Sequence, residues 1–331
     1  MSALDELSSM EAILASMETT YRWGAVAALA PVAWGANYFV THQYLPADSP
    51  WWGAALRALP AGCLLLALSR KLPRGVWWWR SAVLGLLNTS AFFLLVYLAA
   101  HLLSTATAST LMALSPAALI LSAWALLSER PRVAPLAGAA IGLGGVVLML
   151  AGQAGAPSVS GLLASAGALT SSSIGYALSK RWGSEAGVLA TTAWQLTFGG
   201  VLLLVAALVF EGGPPPLAAP GVAALAYTAV IATALAFVAW FTGLRHLPAA
   251  TVGLIGLLNP VTGVALGVAL GGEPLTVRQT AGMALVLVGI ALGRPGRGAT
   301  GSSGRVTAAA TSATAAERSD GRRTNSSATT R

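Results

Sequence analysis

The amino-acid sequence predicts an all-α polytopic membrane protein of about ten transmembrane helices, arranged as two inverted five-helix repeats. Three observations carry that prediction. Only 9% of the 331 residues are charged, 56% are hydrophobic and the mean hydropathy is +0.71. A soluble domain carries about 25% charged residues, so a water-soluble fold could not cover its surface with so few. Apolar runs of about 20 residues recur along the chain, each long enough to span a bilayer as a helix. Finally, one arrangement occurs twice. "SPAALILSAWALLSERP" from Ser115 and "NPVTGVALGVALGGEPL" from Asn259 keep the same proline-to-glutamate separation, Pro116 to Glu129 and Pro260 to Glu273.

Taken in order, residues 1–21 are acidic and Met-rich and have no apolar signal-peptide core. Either a mobile segment or a translation start at Met10 or Met17 is expected there. Ten spans follow, at 22–43, 51–69, 78–99, 104–127, 133–152, 160–180, 187–209, 218–241, 249–270 and 277–293. Basic residues punctuate them. Arg22 opens span 1, and Arg70, Lys71, Arg74 and Arg80 separate spans 2 and 3. Arg130 and Arg132 separate spans 4 and 5, Lys180 and Arg181 close span 6, and Arg245 follows span 8. Residues 294–331, poor in large apolar residues and rich in Gly, Ser, Thr and Arg, read as a disordered basic tail. The expected division is therefore an N-terminal segment (1–21), repeats at 22–152 and 153–293, and the tail.

With the N-terminus inside, 17 of the 19 Lys and Arg residues fall on the cytoplasmic side. The exceptions are Arg278, at the outer edge of span 10, and Arg57, within span 2. Such a positive-inside bias places both termini in the cytoplasm. Trp23, Trp51, Trp52, Trp77, Trp78, Trp79 and Trp182 sit at span ends, as an aromatic belt requires. The net charge of +8 thus reflects topology, and the partner it implies is the bilayer rather than nucleic acid. Cys63 is the one cysteine, so no intramolecular disulfide or thiolate cluster can form.

A shift of 144 positions lays residues 104–149 over 248–293 without a gap, matching Pro116 with Pro260, Glu129 with Glu273, Gly138 with Gly282 and Gly145 with Gly289. A shift of 138 pairs Arg57 with Gln195 and Gly62 with Gly200. Spans 1–5 are therefore repeated as spans 6–10. An odd number of spans per repeat inverts the second copy, an architecture of transporters whose substrate site lies near the midplane between the halves. Pro116 and Pro260 fall near the centres of spans 4 and 9, where each is expected to free the carbonyl four residues back, at Met112 and Gly256. Those carbonyls must face protein, water or substrate; a kink that only shapes packing is the competing reading. Glu129 and Glu273 are expected to cap or anchor the connection to the next helix.

The Trp34-Gly35 pair, Arg57, "WQLTFGG" in span 7, the paired Pro-to-Glu segments and the glycine steps of spans 5 and 10 together resemble an EamA-type member of the drug/metabolite transporter superfamily, over residues 22–293. The resemblance implies a ten-helix carrier of the bacterial inner membrane. It also implies export of amino acids or similar small metabolites by alternating access. "AAHLLSTATAST", with His101 and a Ser/Thr-rich start to span 4, departs from the family pattern.

The residues themselves supply candidates for a central cavity. No Asp or Glu lies within a span, and carboxylates are the usual proton or sodium relays. Facilitated passage or exchange therefore fits better than a carboxylate-gated pump, with Na⁺ coupling through backbone carbonyls left open. Arg57 is the clear intramembrane cation, about 9 Å below the outer end of span 2. It either meets a substrate carboxylate or snorkels to headgroups and helix-end carbonyls. Trp34 and Asn37 share a face of span 1, Asn88 and Phe92 of span 3, and Ser172 and Tyr176 of span 6. Trp194 and Gln195 lie in span 7, and Asn259 pairs by repeat with Ser115. Mid-membrane polar groups either bond between helices or face a cavity. As a set they describe a neutral, aromatic-lined pocket for small zwitterions or amphipathic metabolites. The glycines of spans 5 and 10 suit packing within a monomer, a homodimer seam being the alternative. His42, His101 and His246 lie at or near span ends with no carboxylate or cysteine at ligand spacing. No metal site, cofactor or enzyme is expected. Within the same fold, an exporter of drugs, amines or lipids is the rival reading.

Overall fold

The computed structural model describes residues 3–45, 48–103, 111–150, 158–271 and 275–293, and every regular element among them is helical. Ten helical rods follow the expected spans. They are α1 (Ala3–Tyr44), α2 (Pro50–Ser69), α3 (Trp77–Gly85, Leu86–Ala91 and Phe92–Leu102), α4 (Ser115–Leu127) and α5 (Val133–Leu150). The second five are α6 (Val159–Trp182), α7 (Val188–Phe210), α8 (Ala219–Ala229, Val230–Leu235 and Ala236–His246), α9 (Ala249–Ile255 and Leu258–Gly271) and α10 (Val277–Leu292). By length and composition α2, α3, α7, α8 and α9 can each cross a membrane, and α4, α5 and α10 are shorter apolar helices. Glu273, the Ser/Thr-rich residues 104–110 and the tail from 294 lie outside the described residues.

Helix starts follow local chemistry. Pro50 opens α2, where its missing N–H is not needed. The Ser158 hydroxyl accepts from the Gly161 N–H at the start of α6 (3.0 Å), and Thr276 and Gln279 form a reciprocal capping box on α10. The N-terminal segment differs from expectation. α1 is 42 residues long and takes in residues expected to be a mobile tail. "ALDELSSMEAILASMETTY" is dominated by Ala, Leu, Met and Glu, all strong helix formers, and it extends a helix already nucleated by the span.

The proline segments also differ. Rather than kinking a continuous rod, each proline follows a break. Ala113 and Leu114 form a turn before α4, and Gly256 and Leu257 divide α9. Pro116 and Pro260 then fall in the first turn of the helix that restarts, where a missing N–H costs little. The carbonyl expected to be vacant at Gly256 instead accepts from the Asn259 N–H at 3.1 Å, because a tighter 3₁₀-type turn bridges the break.

A second pair of irregularities has the repeat's spacing. α3 and α8 each widen into one π-helical turn, at Leu86–Ala91 and Val230–Leu235, positions 144 residues apart. Packing has the same symmetry. α2 lies on α7, α5 on α10 and α4 on α9, while the α1–α8 and α1–α9 contacts are mirrored by α6–α3 and α6–α4. Two seams show the reciprocity in atoms. A Cβ added to Gly62 would stand 2.6 Å from the Thr197 nitrogen, and one on Gly200 2.7 Å from the Leu59 Cα. Likewise Gly138 meets Gly289, and a Cβ on Gly145 would stand 2.6 Å from the Gly282 oxygen. Glycine is what lets these backbones touch, and the seams close within the chain.

Carboxylates bind the two halves at the ends of the bundle. Glu129 does not secure the next helix as expected. Its Oε1 pairs with Lys180 Nζ at 2.6 Å and its Oε2 accepts from the Ala249 N–H at 3.1 Å, capping α9 of the other half. Lys180 also donates to the Leu247 carbonyl at 2.8 Å. After α7, Glu211 accepts from the Trp51 and Trp52 N–H groups at 2.9 Å each, capping α2. Leu29, Leu68, Trp124, Leu163, Leu208 and Phe210 point outward and are exposed, as lipid-facing positions are.

Candidate substrate site

The polar candidates sort themselves around the two π-turns. A π-turn displaces the backbone register and leaves carbonyls for outside donors. In α3 the Leu87 carbonyl accepts from the Ser171 hydroxyl of α6 at 2.8 Å. Asn88 Nδ2 donates to Gln195 Oε1 of α7 at 2.8 Å and to the Ser179 hydroxyl at 3.3 Å. Asn88 and Gln195 are essentially inaccessible, so this pair is an interhelical clamp. Gly175 makes room for it, since a Cβ there would collide with the Asn88 side-chain oxygen.

In α8 the Ala232 carbonyl accepts from the Trp34 indole N–H of α1 at 2.9 Å. Arg57 of α2, the repeat counterpart of Gln195, donates from Nε to the Thr233 hydroxyl at 2.7 Å and from Nη2 to the Ala232 carbonyl at 3.4 Å. Its guanidinium lies 4.4 Å from the centroid of Phe93, a cation–π contact worth about 0.5–2 kcal/mol depending on desolvation. Half-buried Arg57 is thus neither adrift in lipid nor reaching headgroups.

Aromatic rings continue from that point. Phe93 meets Phe237, its repeat counterpart, edge to face at 6.3 Å. Phe237 contacts Trp34 at 5.6 Å, and Trp34 contacts Trp240 at 5.3 Å. Tyr176 then joins Trp240 at 5.6 Å and Phe241 at 5.7 Å. This wall draws on α1, α3, α6 and α8, so both halves build it. Trp240 is 4% exposed, and its indole N–H is buried with no protein acceptor. It rests against Gly256 at the break in α9.

Of the thirteen side chains and carbonyls expected to line the cavity, Trp34, Arg57 and Tyr176 belong to this wall, and Phe92 adjoins it at 5.8 Å from Phe93. Gly256 borders it through Trp240. Asn37 is half-buried with an unpartnered Oδ1, and Met112, Ser115 and Asn259 are half-buried at the helix breaks. Ser172 instead turns to its own helix, donating to the Ala168 and Leu169 carbonyls. Asn88 and Gln195 serve the clamp. Trp194 does not share Gln195's setting: its indole N–H donates to the Lys71 carbonyl at 2.7 Å beyond the end of α2, beside Trp77 at 5.7 Å. Successive residues on a helix point about 100° apart, which separates them. Sequence reasoning missed Phe93, Thr233, Phe237 and Trp240. The matches Thr89 to Thr233 and Phe93 to Phe237, both at the 144-residue shift, were their signal. No group of three or more His, Cys, Asp or Glu able to hold a metal ion occurs among the described residues.

Known proteins resemble this chain in sequence and in fold. The chain is 35% identical over 259 residues to protein PecM of Dickeya dadantii, covering 78% of this chain and 87% of that one. It is 29% identical to the uncharacterized transporter YvbV of Bacillus subtilis, over 79% of this chain and 88% of that one. With the uncharacterized inner membrane transporter YedA of Escherichia coli K12 the identity is 28%, over 82% and 89%. One protein of known crystal structure shares the fold with a TM-score of 0.72 at 24% identity, over 82% of this chain and 98% of that one. The model of the EamA-like transporter family matches twice, at residues 22–151 and again at 159–293. Matched in both halves and folded as ten helices about paired seams, the chain is a membrane protein of the EamA-like transporter family, within the drug/metabolite transporter superfamily.

Proposed function

We propose that the protein is a monomeric carrier of a bacterial inner membrane that moves small amphipathic carboxylates, such as amino acids, out of the cytoplasm. In this reading alternating access exposes the space between the halves to each side in turn, and both termini are cytoplasmic. One observation carries the substrate class: a fixed guanidinium at one end of an aromatic wall, with the buried, acceptor-less Trp240 N–H along the same wall. The guanidinium meets a carboxylate with charge-assisted hydrogen bonds, the rings take an apolar or aromatic body, and the indole N–H takes a carbonyl or second oxygen. The paired breaks in α4 and α9 support movement of one half against the other, because a broken helix bends without disrupting its flanking segments.

Counterflow in proteoliposomes tests the reading, with a panel of labelled amino acids and with or without an imposed pH gradient. Saturable exchange of neutral or aromatic amino acids, indifferent to the gradient, is expected. Flux that rises linearly with concentration would indicate a pore, and no exchange across the panel would reject amino acids as cargo. The topology has its own check: the tail after Gly293 should resist protease added to intact cells.

A further inference from the structure

We propose that the junction between α2 and α3 is a binding site for an anionic phospholipid, with Arg80 receiving the headgroup phosphate. The Arg80 guanidinium carbon lies 5.6, 5.7 and 5.4 Å from the ring centroids of Trp77, Trp79 and Trp182. Trp79 and Trp182 meet edge to face at 5.2 Å, so the box joins α3 to the end of α6. Indole faces attract and orient a cation but carry no net charge to neutralise it. Arg80 Nε is buried and donates to no protein acceptor. Arg80 is only half-buried overall, which leaves an anion access to a charge that the indoles cannot neutralise.

The surroundings identify the anion. Leu72 is 64% exposed, and Val76, Trp78 and Trp79 are each 52% exposed. Arg74 and Arg181, close by in the sequence, are exposed too. Large apolar side chains beside arginines at the end of a span belong at headgroup depth, and basic pockets there take anionic headgroups. A phospholipid satisfies both features, its acyl chains covering the apolar side chains while its phosphate meets the guanidinium. The neighbouring Lys71 is already engaged, its Nζ donating to the Ala186 carbonyl at 3.2 Å.

The test uses the full chain in phosphatidylcholine vesicles doped with phosphatidylglycerol or phosphatidylcholine carrying brominated acyl chains, which quench tryptophan. Relative binding, read from quenching against mole fraction, should favour phosphatidylglycerol about fivefold, as one well-placed arginine at a membrane surface provides. Arg80→Gln should abolish the preference, and Arg74→Gln, outside the box, should keep most of it. Where Arg80→Gln does not elute as a single folded species, Trp182→Leu opens the box without removing the charge and should at least halve the preference. Equal quenching of the wild type by the two lipids overturns the proposal, as does an unchanged preference in Arg80→Gln or Trp182→Leu. Loss of the preference on adding inorganic phosphate at constant ionic strength would overturn it in favour of a free-anion site.

Discussion

In the first half, the π-turn of α3 is held by neutral groups: a serine on the Leu87 carbonyl and an amide pair, Asn88 with Gln195, sealed from solvent. In the second half, the π-turn of α8 occupies the corresponding place and is held by an indole and a guanidinium, Trp34 and Arg57. Backbone, spacing and helix partners are alike, and the chemistry is not. The amide pair is sealed and uncharged, with Asn88 Oδ1 buried and accepting from no protein donor, so the first clamp offers a ligand no cation. The second places a cation against an aromatic wall that both halves build. The duplication supplies two equivalent scaffolds, and they diverge in chemistry at one pair, Arg57 and Gln195.

Four substitutions probe that contrast. The largest effect is expected from Gln195→Arg, which puts a second cation where the side chain is 1% exposed and its partner is an amide. A charge within the membrane costs about 2.5–3.5 kcal/mol even on the lenient insertion scale, so folded yield and melting temperature in detergent should fall sharply. A variant that melts like wild type would show that the two clamps are interchangeable. Next, Arg57→Gln makes the halves alike. Counterflow of carboxylate-bearing substrates should slow about 10- to 100-fold, the worth of hydrogen bonds to a charged group, with analogues lacking the carboxylate much less affected. An equal loss for every substrate would assign Arg57 to the scaffold.

A smaller effect is expected for Asn88→Leu, which strips the neutral clamp. Interhelical hydrogen bonds in membranes are worth about 0.6 kcal/mol on average and at most about 1.7, so stability should drop by about 1 kcal/mol while substrate KM holds. A changed KM would move Asn88 from clamp to cavity. The smallest belongs to Glu129→Gln. Its ion pair with Lys180 is partly exposed, at 31% and 19%, and such pairs contribute about 0.2–1 kcal/mol, screened by salt. A melting difference visible at low ionic strength should vanish at high salt, and persistence there would mean that the cap on α9 dominates.

Much of this architecture is legible in the residues. Charge scarcity, the spacing of apolar runs and the in-register prolines and glycines specify ten inverted spans, because the bilayer penalises any backbone that leaves its hydrogen bonds unpaired. The polar positions Asn88, Gln195 and Arg57 stand out for the same reason. Their partners do not, since a partner such as Thr233 or Phe93 is chosen by how helices cross rather than by position along the chain. The π-turns were hidden because widening a helix by one residue requires no particular side chain. Trp194 was misplaced by grouping it with its neighbour, when helical geometry sends adjacent side chains in different directions.

The glycine seams carry a consequence for assembly. Gly62 against Thr197 maps onto Gly200 against Leu59, and Gly138 against Gly289 maps onto Gly282 against Gly145. Recognition between the halves is thus written once and read from both sides. A chain severed between Leu150 and Val159 and co-expressed as two fragments should find its own complement in the membrane and restore the intact bundle.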